Sequence, residues 1–226
     1  MLGGMSWEST ALYYRVANEL VRERCGGLGS AELLVRSLDF ARVRELQLGQ
    51  RWDDAGALLL AEARRLEAAG AEVVLLCTNY MHKVAPALEA GLDVPFLHIA
   101  DVAAAAALAT GVRRIGLTGA AATMAEPFYV DRLAAHGLDV VVPDAADRER
   151  LDRAIFTELC RGVLAADTRR DLRGVLARLV GEGVQAVVLG CTELELLLGE
   201  DDCAVPLLPT ARLHVEAAVA ASLTSR

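Results

Sequence analysis

The stretch GVQAVVLGCTELELLL, residues 183–198, repeats a pattern that the chain has already used at 70–84, GAEVVLLCTNYMHKV. Each copy has a glycine, a run of apolar residues, and then a cysteine followed by polar residues. When the two glycines are aligned, Cys191 corresponds to Thr78 and not to Cys77. A short, wholly apolar run of this kind is typical of a strand buried on both faces of a parallel sheet.

Helix and strand patterns alternate along the chain. The segment 53–70 has apolar residues at helical spacing and ends at a glycine, and 171–183 repeats this pattern before the second apolar run. A strand that leads into a loop is predicted for 30–40, and further strands are predicted for the runs at 94–99, 113–119 and 204–209. We therefore predict an α/β fold of two pseudo-symmetric lobes, each a mostly parallel sheet flanked by helices.

The order of the repeated segments also predicts the domain boundaries. One lobe comprises residues 1–100 together with 210–226, and the other comprises 101–209. In open α/β sheets, ligands bind at the carboxyl ends of the strands, so we expect these ends to converge on one cleft between the lobes. The strand ends in question are Gly3–Ser6, Cys77–Tyr80, Gly119–Thr123 and Gly190–Glu193.

Composition and charge argue against several classes of protein. The formal net charge of −8 disfavours a nucleic-acid surface, which needs clustered Lys and Arg. No run approaches the roughly 20 apolar residues of a membrane span, and no charged start precedes an apolar segment as in a secretory signal. The five cysteines include no C-x-x-C pair and indicate neither a disulfide framework nor a zinc site. We expect a cytoplasmic protein with reduced thiols that binds neither nucleic acid nor membrane.

The paired strand-end loops favour one kind of chemistry. Inverting a carbon stereocentre without a cofactor needs an acid on one face of the carbon and a base on the other. A thiol, with a pKa of about 8.5, serves in either state, and a nearby helix N-terminus favours the thiolate. We assign Cys191 as this thiol and Thr78 as its weaker partner, because a hydroxyl is a far poorer base. Cys77 lies on the opposite side of an alternating strand and is interpreted as a core residue.

Polar groups near the pair are predicted to hold the substrate. Asn79, Thr123 and Thr192 supply amide and hydroxyl groups that can bind a carboxylate and stabilise a carbanion-like transition state. The glycine loop at 2–10 is expected to present backbone N–H groups to a carboxylate. The predicted substrate-binding residues are Met5, Ser6, Asn79, Tyr80, Thr123, Thr192 and Glu193.

The histidines and the other cysteines are given lesser roles. His82 lies just past the first loop, where it could tune a thiol or cap the following helix. His98 is a candidate to line the cleft, whereas His136 and His214 are interpreted as surface or packing residues. The cysteines outside the repeat are interpreted as packing residues on or near helices: Cys25, Cys160 and Cys203.

Several of these motifs together resemble a known family. The segments GCTEL (190–194), LGGMSWEST (2–10), CTNYMHKV (77–84) and FLHIAD (96–101) are similar to the aspartate/glutamate racemase superfamily. They are most similar to its aspartate/glutamate or broad-specificity amino-acid racemase branch, and the resemblance covers essentially the whole chain. It implies the two-lobe fold, a homodimer, and racemisation of an amino acid, a small-molecule substrate, without pyridoxal phosphate, metal or other cofactor.

The chain also departs from the family pattern. The wider family has Cys-Asn-Thr where this chain has Thr-Asn-Tyr at 78–80, with Cys77 one residue earlier. Ala120 stands where a Gly-Thr pair is common, and Pro209 stands where an Asp is usual. These departures leave two alternatives open. One is a single-thiol decarboxylase or isomerase of small dicarboxylic acids, and the other is a catalytically impaired amino-acid-binding homologue.

Overall fold

The computed structural model describes residues 1–224 and shows a mixed α/β fold of parallel sheets flanked by helices. The chain divides into two compact units. Unit 1 comprises Met1–Ile99 and the chain from His214 onward, and unit 2 comprises Ala100–Leu213. The sequence-based division into 1–100 with 210–226 and 101–209 stays a prediction.

Unit 1 contains four short strands and the first helices of the chain. The strands are β1 (Leu2–Gly3), β2 (Arg36–Ser37), β3 (Val74–Leu75) and β4 (Phe96–Leu97). The helices are α1 (Trp7–Cys25), α2 (Phe40–Leu48), α3 (Trp52–Ala68) and α4 (Ala85–Gly91), with a 3₁₀ helix at Tyr80–Val84. Helix α5 (Ile99–Ala109) begins in unit 1 and ends in unit 2.

Unit 2 has longer strands. These are β5 (Arg114–Gly119), β6 (Asp139–Val141), β7 (Ala186–Gly190) and β8 (Leu207–Pro209). Its helices are α6 (Ala121–Ala125), α7 (Pro127–Ala135), α8 (Ala145–Thr157), α9 (Ala166–Gly181) and α10 (Leu194–Leu197). Further 3₁₀ helices lie at Leu159–Arg161 and Glu200–Asp202, and α11 (Thr210–Thr224) begins in unit 2 and ends in unit 1.

The two sheets share one strand order. In unit 1, β1 pairs with β2, β3 pairs with β4, and a parallel bridge between Leu2 and Leu76 joins the two pairs. The order is therefore β2-β1-β3-β4, and unit 2 has the corresponding order β6-β5-β7-β8, again with every pair parallel. The pseudo-symmetry predicted from the repeated segments is thus present in the strand order of the sheets.

The helix patterns are confirmed, with one extension. In α9 the predicted apolar face is buried, and the helix begins at Ala166, five residues before the predicted start at 171. The buried residues of that face are Leu172, Val175, Leu176 and Leu179. The sequence predicted that Gly70 ends the helix at 53–70, which is α3 in the structure. Gly70 follows Ala69, the cap residue of α3, and its φ of +95° favours glycine.

The strand predicted for 30–40 is largely absent. Only Arg36–Ser37 pairs with β1, and residues 30–35 have no regular structure. The apolar residues that suggested a strand, Leu34 and Val35, are exposed, because they extend beyond the short edge that β1 offers. Within residues 1–224, no helix is both long and apolar enough to cross a membrane.

Candidate active-site loops

The loop after β1 is organised by its own side chains. Gly4 has a φ of +88°, a conformation that favours glycine. The Ser6 hydroxyl accepts the N–H of Ser9 (3.3 Å) and so caps α1. Thr10 Oγ1 accepts the N–H of Gly4 (2.8 Å) and donates to the Ser6 carbonyl (2.9 Å). Met5 packs in the core of unit 1, so both predicted residues of this loop carry structural roles.

The loop after β3 contains the first copy of the repeated motif. Thr78 and Asn79 are buried, and the side chain of Cys77 is completely buried. Ser9 Oγ donates to the Cys77 carbonyl (2.9 Å), which ties this loop to the start of α1. Burial raises the pKa of the Cys77 thiol to about 12, so it carries no thiolate at neutral pH. The interpretation of Cys77 as a core residue is confirmed.

His82 is hydrogen-bonded through both ring nitrogens. Its Nδ1 lies 2.8 Å from the carbonyl oxygen of Thr78, and its Nε2 lies 3.2 Å from the backbone nitrogen of Ile99. A carbonyl only accepts and an amide N–H only donates, so Nδ1 carries the proton and Nε2 is the acceptor. Burial, aided by neighbouring His98 and His214, holds the pKa of His82 well below its usual value. The ring is therefore neutral and supports the loop, which differs from the predicted thiol-tuning or helix-capping role.

His214 and Tyr13 extend this buried group of rings. The Nε2 of His214 lies 2.9 Å from the Leu97 carbonyl oxygen, and its Nδ1 lies 3.0 Å from the Tyr13 hydroxyl. By the same reasoning Nε2–H donates to the carbonyl, and the Tyr13 O–H donates to Nδ1. Burial lowers the pKa of His214 to about 4. The predicted packing role of this histidine is confirmed, and the hydrogen bonds add to it.

In unit 2, β5 and β7 end side by side at a pair of glycines. Gly119 and Gly190 are partners in register, and a Cβ on Gly119 would lie 2.8 Å from the Gly190 carbonyl oxygen. A side chain at either position would push the strand ends apart. Thr123 follows in α6 and is buried, and its hydroxyl has no hydrogen-bond partner among the residues that the structure describes.

The loop after β7 joins a thiol to a carboxylate. Cys191 Sγ lies 3.0 Å from Glu193 Oε2, and the same oxygen accepts the Thr192 hydroxyl at 2.8 Å. Burial and the Glu193 carboxylate raise the pKa of Cys191 well above its usual value. The thiol is therefore protonated at rest, contrary to the expectation that a helix N-terminus favours its thiolate. Helix α10 has only four residues, and burial together with the adjacent carboxylate disfavours the thiolate.

Glu195 is a residue of this region that the sequence analysis missed. Its carboxylate accepts the backbone N–H groups of Ala211 (2.6 Å) and Arg212 (3.3 Å) and so links α10 to the first turn of α11. Burial raises the pKa of Glu195 to about 8. The available signal was a carboxylate inside the apolar run ELELLL, where an ionised side chain needs a specific partner.

The structure thus brings the predicted residues together in two groups. Cys191, Thr192 and Glu193 form one hydrogen-bonded group in unit 2, and Thr78 and Asn79 are adjacent in unit 1. Next to them, the partly buried Tyr80 packs edge-on against Trp52, with ring centroids 5.6 Å apart. Within residues 1–224, no cluster of His, Cys, Asp and Glu is arranged to hold a metal ion.

Two other features lie away from these loops. Unit 1 contains a cavity of about 610 Å³. It is lined by residues 30–34, by residues 69–73 and Leu75, and by α1 and α11, and none of the predicted site residues lines it. Cys25 is exposed at the end of α1, so its interpretation as a packing residue is wrong, whereas Cys160 and Cys203 are partly buried.

Comparisons with known proteins agree with the fold and the motifs. The Asp/Glu/hydantoin racemase family model matches residues 2–218. A Yersinia pestis crystal structure, provisionally named an Asp/Glu racemase, is 43% identical, with a TM-score of 0.92 over 98% of this chain and 97% of that one. An aspartate racemase homologue from Pyrococcus horikoshii is 33% identical, with a TM-score of 0.86 over 100% of this chain and 97% of that one.

A more distant structure supports the fold alone. The aspartate racemase of Picrophilus torridus is 18% identical, with a TM-score of 0.72 over 99% of this chain and 91% of that one.

The family match covers nearly the whole described chain, including the glycine loop and both cysteine loops. This chain belongs to the Asp/Glu/hydantoin racemase family.

Proposed function

We propose that this protein is a cofactor-independent amino-acid racemase that acts on aspartate, glutamate or a broader set of amino acids. The proposed mechanism is two-base proton transfer at the α carbon, with Cys191 and Thr78 as the two groups. The observation that carries this proposal is the contact between the Cys191 thiol and the Glu193 carboxylate. Membership of the racemase family supports the reaction class.

The Cys191 loop contains a proton donor, the thiol, next to a proton acceptor, the Glu193 carboxylate. The resting thiol holds a proton that it can deliver to a carbanion-like α carbon. For the reverse transfer, Glu193 Oε2 is placed 3.0 Å from Sγ, where it can accept the thiol proton and leave a thiolate as the base. No step of this exchange requires a metal or an organic cofactor.

The Thr78 loop offers a weaker group. A hydroxyl is a poor base, so proton transfer on this face is slow. Thr78 delivers the proton when the Cys191 thiolate is the base and takes it back in the reverse direction, directly or through a water molecule that it orients. The two enantiomers of an amino acid have equal free energies in solution, so kcat/KM is the same in both directions. The asymmetry of the pair should therefore appear as isotope exchange without inversion. The enantiomer whose α proton faces Cys191 should exchange with solvent faster than it inverts.

The remaining predicted residues are proposed to bind the substrate. A buried polar group without a partner is costly, and a substrate carboxylate would supply the partner that the Thr123 hydroxyl lacks among the described residues. The other proposed contacts are Met5, Ser6, Asn79, Tyr80, Thr192 and Glu193. We also propose a homodimer, which the family resemblance implies and light scattering on the purified protein tests, and a cytoplasmic location, which the cysteine pattern favours.

The decisive experiment is solvent exchange at the α carbon. Purified protein is incubated in deuterium oxide with each enantiomer of the common amino acids, and deuterium incorporation and inversion are measured separately. We expect exchange from at least one enantiomer of aspartate or glutamate, and none with Cys191→Ala. A folded wild-type sample that exchanges no amino acid in the panel would refute the racemase proposal.

A second candidate is favoured because Thr78 stands where a second cysteine would complete the pair with Cys191. A single-thiol decarboxylase or isomerase needs one proton donor and a carboxylate pocket, which the Cys191 loop and its neighbours supply. Formation of product from substituted malonates or maleate, without exchange at the α carbon of amino acids, would select this candidate.

The other alternative is a catalytically impaired amino-acid-binding homologue. Thermal stabilisation by amino acids without any turnover would select it.

A further inference from the structure

The turn that contains Thr78 is held by hydrogen bonds from His82, a residue of the 3₁₀ helix that follows it. After β3 the chain turns and forms a 3₁₀ helix at Tyr80–Val84, which contains His82. The N–H of His82 donates to the Asn79 carbonyl (3.1 Å), and its ring Nδ1–H donates to the Thr78 carbonyl (2.8 Å). The same residue is thus hydrogen-bonded to two successive carbonyl groups, so the turn has little freedom to move.

The His82 ring is itself held from the other side. Its Nε2 accepts the N–H of Ile99, the first residue of α5. The ring packs against His98 with a centroid distance of 4.6 Å and against His214 with a centroid distance of 5.8 Å. His214 is fixed in turn by the Tyr13 hydroxyl and the Leu97 carbonyl. All of these side chains are buried, so the ring cannot rotate without breaking several contacts.

We propose that His82 is a positioning residue that sets the orientation of Thr78. Its Nδ1–H fixes the Thr78 carbonyl, and its Nε2 is occupied by Ile99, so the ring takes no proton during the reaction. The consequence for catalysis rests on the proposed role of Thr78 as the partner of Cys191. A displacement of about 1 Å at a reacting group can lower a rate about 100-fold, which is how the ring would affect turnover without touching substrate.

Two isosteric variants separate the two hydrogen bonds of the ring. In His82→Asn the side-chain amide takes the place of Nδ1–H and can still donate to the Thr78 carbonyl. In His82→Gln the amide oxygen takes the place of Nε2 and can still accept from Ile99, while the bond to Thr78 is lost. Each variant removes one buried hydrogen bond, so a purely structural role would make them similar.

We expect the variants to differ in turnover and in local order. His82→Asn should keep kcat for inversion within about threefold of wild type, and His82→Gln should lower it about tenfold or more with KM little changed. Amide hydrogen exchange of residues 76–84 should stay slow in His82→Asn and become faster in His82→Gln. Equal kcat losses together with equal exchange rates would overturn the proposal.

The proposal can be tested even if the racemase assignment fails or a variant does not fold. If wild-type protein shows no α-proton exchange, the proposed function falls, but amide exchange of residues 76–84 in the two variants still decides whether His82 holds the loop. If either variant is unfolded, long-range ¹H–¹⁵N spectra of wild-type protein report the proton position. A neutral His82 with the proton on Nδ1 supports the proposal, and a proton on Nε2 overturns it.

Discussion

The two cysteine loops occupy corresponding places in their units and differ in their proton chemistry. After β7, the Cys191 thiol donates a hydrogen bond to the Glu193 carboxylate (3.0 Å). After β3, the corresponding position is Thr78, supported by a His82 ring that is neutral and occupied at both nitrogens. The proposed function therefore assigns the acid–base groups to one copy of the repeated motif and a hydroxyl to the other.

The difference arises from a shift of one residue along the strand. Cys77 directly follows Leu76, which forms the bridge to Leu2. Its N–H donates to the Leu2 carbonyl (2.9 Å), and its side chain is buried in the core. Cys191 comes after the last residue of β7, Gly190, and its side chain reaches Glu193. Because successive side chains in a strand face opposite directions, one residue decides whether a thiol is buried or available.

The largest expected effect is the loss of the Cys191 thiol. Cys191→Ser keeps the size and the hydrogen bond to Glu193 but replaces a thiol with a hydroxyl of much higher pKa. General acid–base groups contribute about 10²–10⁴-fold, so α-proton exchange should fall by about that factor. Cys203→Ser, also a partly buried cysteine of unit 2, is the matched control and should retain full exchange. If Cys191→Ser keeps its activity, the assigned difference between the loops is incorrect.

The second test changes the Thr78 side of the comparison. Thr78→Val keeps the shape and removes the hydroxyl, so inversion should fall about 10²-fold, while exchange from the enantiomer that faces Cys191 persists. Thr78→Cys makes the two loops alike and should raise the ratio of inversion to exchange. Both quantities come from one incubation in deuterium oxide followed by chiral separation. A Thr78→Val variant with normal inversion would remove Thr78 from the mechanism.

The sequence predicted the fold better than the electrostatics of the site. The repeat of an apolar run and a cysteine was sufficient for the two-lobe fold of parallel sheets and for separating Cys77 from Cys191, because burial and alternation are local properties. The buried rings of His82 and His214 depend on residues far apart along the chain, such as Tyr13 and Leu97, and no local pattern indicates them. The raised pKa of Cys191 likewise depends on the burial of the thiol and on the position of Glu193, which only the folded structure shows.

A third prediction concerns the charge beside Cys191. Glu193→Gln removes the carboxylate that disfavours the thiolate, so the pKa of Cys191 should fall, and thiol alkylation should begin at a pH lower by about one unit or more. The rate of reaction with iodoacetamide is followed against pH in a Cys25→Ser background, because Cys25 is exposed. Glu200→Gln, at an exposed site, is the control. An unchanged alkylation profile would show that burial alone sets the pKa.

A fourth prediction uses the pH dependence of stability to test the neutral rings of unit 1. The pKa of His214 is about 4 in the folded protein and about 6.5 when unfolded. Between these values only the unfolded state takes up the proton, so stability falls as the pH drops, by up to about 1.4 kcal/mol per pH unit. His214→Gln should flatten the fall in denaturant-derived stability between pH 6.5 and 4 by about this slope.

The variant comparison also separates an opposing contribution. The pKa of Glu195 is raised to about 8, so its protonation favours the folded state as the pH falls, and it affects wild type and His214→Gln equally. Tyr13→Phe, which removes only the hydroxyl that donates to His214, is the control and should keep the steeper wild-type slope. If wild type and His214→Gln show the same slope, the His214 ring is not neutral in the folded protein.

The smallest effect is expected for the cysteine that the repeat leaves in the core. Cys77→Ala removes a buried sulfur and leaves a small cavity, which should lower the free energy of unfolding by about 1 kcal/mol. Exchange at the α carbon should stay within about twofold of wild type, because a thiol with a pKa of about 12 supplies no base at neutral pH. Cys191→Ala should behave in the opposite way, with little change in stability and a large loss of exchange. Both quantities are measured on the same samples by urea unfolding and by deuterium incorporation. A Cys77→Ala variant that is stable but inactive would reverse the roles assigned to the two cysteines.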